Sequence, residues 1–191
     1  MPAGIGKSRL ATELVEAVDG PVVRIEARAG EASLAYAPVT AALRTIAPHV
    51  RGLDDPVRTE LARLAPDVAG IPAPAEPLQS PGARTRLLDA CAAALTAALT
   101  QGDGPALLLV EDLDQADAET QQLIAYLARR LTGRSILVVV TCRETVDLPH
   151  LDLRLDLPQR GFPAINRSRI VALTVAPSAI PRKSCQRCLG A

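Results

Sequence analysis

Gly4-Ile5-Gly6-Lys7-Ser8-Arg9 leads straight into a helical pattern near the start of the chain. Residues of these types at this spacing bind phosphate. Glycines lack the Cβ that would stop the backbone from turning its N–H groups inward around an anion. The Lys7 ammonium would lie along the β- and γ-phosphates, and the Ser8 hydroxyl would ligate Mg²⁺. The helix that follows adds its unpaired N–H groups and the positive end of its dipole. In the full pattern, G-x-x-x-x-G-K-[ST], the first glycine falls on Met1, and the strand that should feed the loop is missing from the sequence. The module therefore reads as an incomplete one.

Phosphoryl chemistry also needs a carboxylate beside the metal, fixed at the end of a buried strand. Leu107-Leu108-Leu109-Val110-Glu111-Asp112 has that form, four apolar residues and then two acids. One acid would hold Mg²⁺, directly or through water, and the other would orient an attacking water. Which of Glu111 and Asp112 does which stays open. A third run, Ile136 to Val140 followed by Thr141-Cys142-Arg143, is a buried strand that brings polar groups to its carboxyl end. Ligands of open α/β sheets bind at that edge, and Arg143 there would sense the γ-phosphate.

Three strands and a set of helices must position these groups. Leu10, Leu14 and Val18 share one face of a helix from Lys7 to about Val18, which Asp19-Gly20-Pro21 stops. Val22, Val23 and Ile25 make a short strand. Pro38 opens a helix to about Ala47, and Asp55-Pro56 opens another to Leu64. Five prolines within 65–82 predict an extended or irregular connection. An Ala/Leu helix runs from Ala83 to Thr100, and a further helix from Ala118 to Leu131 has Asp117 as its N-cap. Uninterrupted apolar strands alternating with helices predict a three-layer α/β domain around a parallel sheet.

The 191 residues are 48% apolar and 22% charged, with no net charge. That is enough for one globular domain. It excludes a disordered chain, a collagen-like chain and a small disulfide scaffold. No apolar run approaches a membrane span and the amino terminus lacks a signal peptide, so the expected location is cytoplasmic. Tyr36, Tyr126 and Phe162 are the only aromatic residues, too few to stack single-stranded nucleic acid. Lys7 is the only lysine before Lys183.

Four segments occur together in order: Gly4-Ile5-Gly6-Lys7-Ser8-Arg9-Leu10, Tyr36-Ala37-Pro38-Val39, Val110-Glu111-Asp112-Leu113-Asp114-Gln115-Ala116-Asp117, and Val140-Thr141-Cys142-Arg143. As a set they resemble the AAA-type P-loop ATPase module of large LuxR-type transcriptional regulators and related signal-transduction ATPases with numerous domains. The resemblance implies a P-loop NTPase fold over about residues 1–148. It also implies ATP and Mg²⁺ as ligands, and a nucleotide switch with slow or regulatory hydrolysis. Gly4, Gly6, Lys7 and Ser8 match the phosphate loop, Glu111 and Asp112 the acidic pair, and Arg143 the arginine closing the sensor strand. The family often has His-Trp where this chain has Asp114-Gln115. Relatives continue into a winged-helix segment, helical repeats and a helix-turn-helix. Those downstream domains, or self-association, are the implied partners besides nucleotide; this chain has no defensible DNA-binding element of its own.

The charge changes along the chain. Residues 1–150 hold 14 Lys/Arg and 19 Asp/Glu, and residues 151–191 hold 7 and 2. The basic, proline-containing tail at 149–191 differs from what should follow in the family and reads as a disordered or frameshifted segment, with one strand-like run at Ile170 to Val175. Cys185 and Cys188 form a single C-x-x-C without the second pair that structural zinc needs. Two other readings compete with the switch. A small P-loop kinase would need an arginine-bearing lid, and residues 65–82 hold no arginine. A non-functional fragment of a larger regulator is the other. Arg129 and Arg130 are the candidates for an arginine finger.

Overall fold

A computed structural model of the chain describes residues 7–102, 104–131, 134–143, 153–157 and 168–174. Its elements run α1 (Lys7–Ala17), β1 (Val22–Glu26), α2 (Ala37–Thr45), α3 (Ala47–Arg51), α4 (Asp55–Leu61), α5 (Pro66–Ala69), α6 (Ala83–Leu99), β2 (Ala106–Glu111), α7 (Ala118–Arg130), β3 (Ile136–Cys142), β4 (Leu153–Leu157) and β5 (Ser168–Thr174). A single 3₁₀ turn, Leu113–Gln115, lies between β2 and α7. Proline stands in the first turn of α2, α3, α4 and α5, where its missing N–H costs nothing.

The sheet order is β1-β2-β3-β5-β4. β1, β2 and β3 are parallel, with Val23 opposite Leu108 and Leu108 opposite Val138. These are the three strands legible in the apolar runs. β5 covers most of the strand-like run at 170–175 and lies antiparallel beside β3, with Thr174 opposite Leu137 and Arg169 opposite Cys142. β4 pairs antiparallel with β5, so the sheet is mixed beyond β3.

The two-residue period of the pleat divides the apolar run of β2 between two cores. Leu107 and Leu109 point to the same side as Leu137 and Val139, where Ala11, Leu14 and Val18 of the α1 segment cover them. Leu108 and Val110 point to the other side with Val138 and Val140, into the larger core. There they meet Val39 and Leu43 of α2, Leu87 and Leu95 of α6, and Leu123 and Leu127 of α7. Every residue of β2 is buried, which is why its sequence shows no alternation. Helices on both faces of a parallel sheet give the three layers expected.

At the amino edge of the sheet, the turn at Gly20 meets the turn at Pro105. A Cβ on Gly20 would stand 2.0 Å from the Pro105 carbonyl oxygen, so only glycine lets these backbones touch. Leu107 donates its N–H to the Pro21 carbonyl beside it (2.9 Å).

The proline-rich connection is anchored. Glu60 of α4 accepts from Arg63 Nε (2.7 Å) and Arg86 Nε (3.0 Å). Arg63 donates on to the Glu76 carbonyl (2.6 Å), and Arg86 also pairs with the Glu76 carboxylate. Arg58 binds the Ala69 carbonyl through Nε and a second guanidinium nitrogen (3.0 and 2.7 Å). The segment that a kinase reading would use as a lid is thus tied to α4 and α6.

Candidate functional site

The carboxyl ends of β1, β2 and β3 share one edge of the sheet. α1 leads through a short turn into the start of β1, so its last residues lie at the opposite edge. Its 11 residues span about 16 Å, close to the length of the strands it crosses, which brings its amino end to the carboxyl edge. Lys7, Ser8 and Arg9 form the backbone of that first turn. Gly4, Ile5 and Gly6 lie outside the described residues.

Glu111 is the last residue of β2 and only 8% exposed. It lies on the α1 side of the sheet, two residues beyond Leu109. Arg24 is opposite Leu109 on β1, and its Nε pairs with the Glu111 carboxylate. The cation for this buried acid therefore comes from the neighbouring strand. The Glu111 carbonyl accepts from Ala27 N–H (3.0 Å), which continues the β1–β2 ladder by one step.

Asp112 leaves the strand in the left-handed region, φ 49° and ψ 46°. Asp tolerates that region better than most side chains. Its N–H donates to Thr141 Oγ1 of β3 (2.9 Å). Leu113 then drives fully into the larger core and fixes the 3₁₀ turn. Asp114 Oδ1 accepts from the Arg143 N–H (2.8 Å), and Asp114 Oδ2 accepts from Gln115 Nε2 (2.9 Å). Gln121 Nε2 donates to the Leu113 and Ala116 carbonyls (3.3 and 3.1 Å), holding the turn from α7.

Asp117 closes the turn and caps α7, as its position before an amphipathic run predicts. It is 2% exposed. Oδ1 accepts from Thr120 N–H (2.8 Å) and Oδ2 from the Thr120 hydroxyl (2.7 Å). Oδ1 also accepts from the N–H of Tyr36 (3.0 Å), which stands at φ 60° before α2. The Tyr36 ring is buried, and its hydroxyl has no hydrogen-bond partner of ordinary geometry among the described residues. Burial pushes this phenol above its usual range, against the pull of the nearby Arg84 guanidinium.

The fold thus brings Glu111, Asp112 and Arg143 to one edge, linked through Thr141 and Asp114. Arg129 and Arg130, the finger candidates, end α7 at the opposite edge. Arg130 binds Asp89 there (2.8 Å), and both guanidinium groups lie over the Tyr126 ring. They are remote from the acidic turn of their own chain. Arg24 and Asp114 are the site residues that motif reading missed. An alternating strand, Val22 to Glu26, offers an exposed-face Arg as a clue to the first, while the second is marked only as the place where Asp114-Gln115 departs from the His-Trp of the family.

Carboxylates and hydroxyls are hard oxygen donors, which suit Mg²⁺. Among the described residues no group of three or more His, Cys, Asp and Glu side chains is placed to hold a metal. Mg²⁺ is ordinarily held by one or two carboxylates together with substrate phosphates, so the acidic pair fits it. Cys91 and Cys142 are buried in α6 and β3, and neither is in a disulfide. No helix among the described residues is long and apolar enough to cross a membrane.

No curated protein and no solved structure matches the chain. A family model does, the AAA ATPase domain, over residues 2–140. That match covers more than half of the chain, with β1, β2 and most of β3 of a P-loop NTPase sheet, and the chain belongs to the AAA ATPase domain family, whose members bind nucleotide.

Proposed function

We propose that this chain is the Mg·ATP-binding module of a signalling or transcription-regulatory ATPase of the LuxR-type group, working as a nucleotide switch with slow hydrolysis. The observation that carries the reading is the shared edge. The acidic turn after β2, the polar end of β3 and the amino end of α1 converge there.

In this reading Gly4, Ile5 and Gly6 wrap the phosphates, and the α1 dipole and the Lys7 charge attract them. Ser8, Glu111 and Asp112 would hold Mg²⁺, which when bound neutralises charge on the phosphates. Arg24 keeps Glu111 compensated in the absence of a metal. Asp112, turned out of the strand with its N–H on Thr141, would order a water. Arg143 reads the γ-phosphate from the end of β3. A second copy or a downstream domain would then respond to that state.

Calorimetric titration of the purified chain with Mg·ATP, with Lys7→Ala as control, tests the assignment. Binding by the wild type that falls at least tenfold in the variant is expected. Equal affinity in both, or no binding by a folded wild type, overturns it.

A further inference from the structure

Where the β2–β3 ladder ends, at Val110 opposite Val140, two side chain–backbone hydrogen bonds take over. They run in opposite directions. The Asp112 N–H donates to the Thr141 side chain, and the Arg143 N–H donates to the Asp114 side chain. Both strand ends therefore hold each other after main-chain pairing stops. The two bonds are unequal. The first ends on a neutral hydroxyl, while the second ends on a carboxylate, and such charge-assisted bonds are about twice as strong. Asp114 is itself steadied by Gln115, and its turn is anchored by the buried Leu113.

We infer that Asp114 is a positioning residue that sets Arg143 against Asp112, so that the acidic turn and the end of β3 move as one unit. This rests on the nucleotide-site reading above for its functional consequence, but not for the clasp itself. Asp112 precedes Asp114 by two residues on one rigid turn. Any displacement of the turn when Mg·ATP enters is passed through the Asp114 carboxylate to the Arg143 backbone. With the clasp cut, phosphate binding at the amino end of α1 persists, while the placement of Arg143 is lost.

The test uses the full chain as wild type, Asp114→Ala and Asp114→Asn. Asn keeps an acceptor oxygen, and Ala keeps none. Amide hydrogen exchange at Arg143 should rise about tenfold in Asp114→Ala and return most of the way in Asp114→Asn. Mg·ATP affinity should fall less in both than it does in Lys7→Ala, because the amino end of α1 still holds the phosphates. Turnover should fall about tenfold with Ala and recover with Asn. Unchanged Arg143 exchange in Asp114→Ala overturns the clasp. Faster exchange with unchanged turnover overturns its role in positioning. Should the wild type show no Lys7-dependent ATP binding, the nucleotide reading and the turnover claim fall together, while Arg143 exchange still decides the clasp.

Discussion

The buried Asp117 carboxylate accepts the backbone N–H of Tyr36 at 3.0 Å, across 81 residues of sequence. The same oxygen accepts Thr120 N–H, so one atom caps α7 and fixes the entry to α2. Tyr36 needs that anchor, because it holds a left-handed conformation that a bulky side chain rarely adopts. The loop after β1 is thereby locked to the acidic turn after β2.

Asp117→Ala should therefore cost more than an ordinary N-cap. Loss of a cap costs about 1 kcal/mol. The stranded N–H of Tyr36 adds about 1–3 kcal/mol, since a buried donor loses the carboxylate that accepts it. A total of about 3 kcal/mol is expected by urea denaturation, with Asp117→Asn losing less because it keeps an acceptor oxygen. A loss below about 1 kcal/mol for Ala would contradict the shared role.

Gly20→Ala tests the close approach at the other edge. The new methyl group would meet the Pro105 carbonyl at 2.0 Å, and that neighbour is backbone. One turn must move, at the 1–3 kcal/mol typical of overpacking (about 2 kcal/mol). Gly104→Ala is the control, since its Cβ would find only the Gly20 Cα at an ordinary 3.8 Å. Thermal melts should separate the two variants by several degrees. Equal melting temperatures would mean the turns do not touch.

Glu60 sets a pH dependence. Burial alone would raise its carboxyl, but hydrogen bonds from Arg63 and Arg86, with their charges, outweigh burial and hold it below the ordinary 4.5. The unfolded chain then binds the proton more readily than the folded one. The contribution of Glu60 is complete above pH 4.5 and is lost as pH falls through its lower folded value. Glu60→Gln should lower stability at neutral pH and flatten this part of the acid limb. An acid limb identical to wild type would show that Glu60 is not responsible.

Sequence reading located the three parallel strands and the helices around them because each has a strong local cause. Leu107 to Val110 and Ile136 to Val140 are unbroken apolar runs, and Pro38 and Pro56 mark helix starts. The AAA ATPase domain is legible in the order of four short segments. What stayed hidden depends on partners far apart in sequence. Nothing near Arg24 says that it compensates Glu111, which lies 87 residues away. Asp114 stands in the sequence only as a departure from the family's His-Trp, because its hydrogen bond to Arg143 N–H spans 29 residues. The short helix Pro66–Ala69 and the ion-pair network around Glu60 were likewise invisible in a segment that composition marks only as rich in proline.

The Arg24–Glu111 pair yields the measurement that divides the two acids by role. Glu111 is nearly buried, so Arg24→Ala leaves a carboxylate without its cation. Arg24 itself is more than half exposed, which moderates the loss. A destabilisation of about 1–3 kcal/mol is expected. Much of it should disappear in the Arg24→Ala, Glu111→Gln double variant, since a neutral amide needs no cation. An additive cycle would mean that the two side chains do not interact. Saturating Mg·ATP then separates the metal assignments. If Glu111 ligates Mg²⁺, the bound ion replaces the lost guanidinium, and nucleotide stabilises Arg24→Ala more than wild type. If Asp112 alone faces the metal, Glu111 remains uncompensated and the deficit persists undiminished when nucleotide is bound.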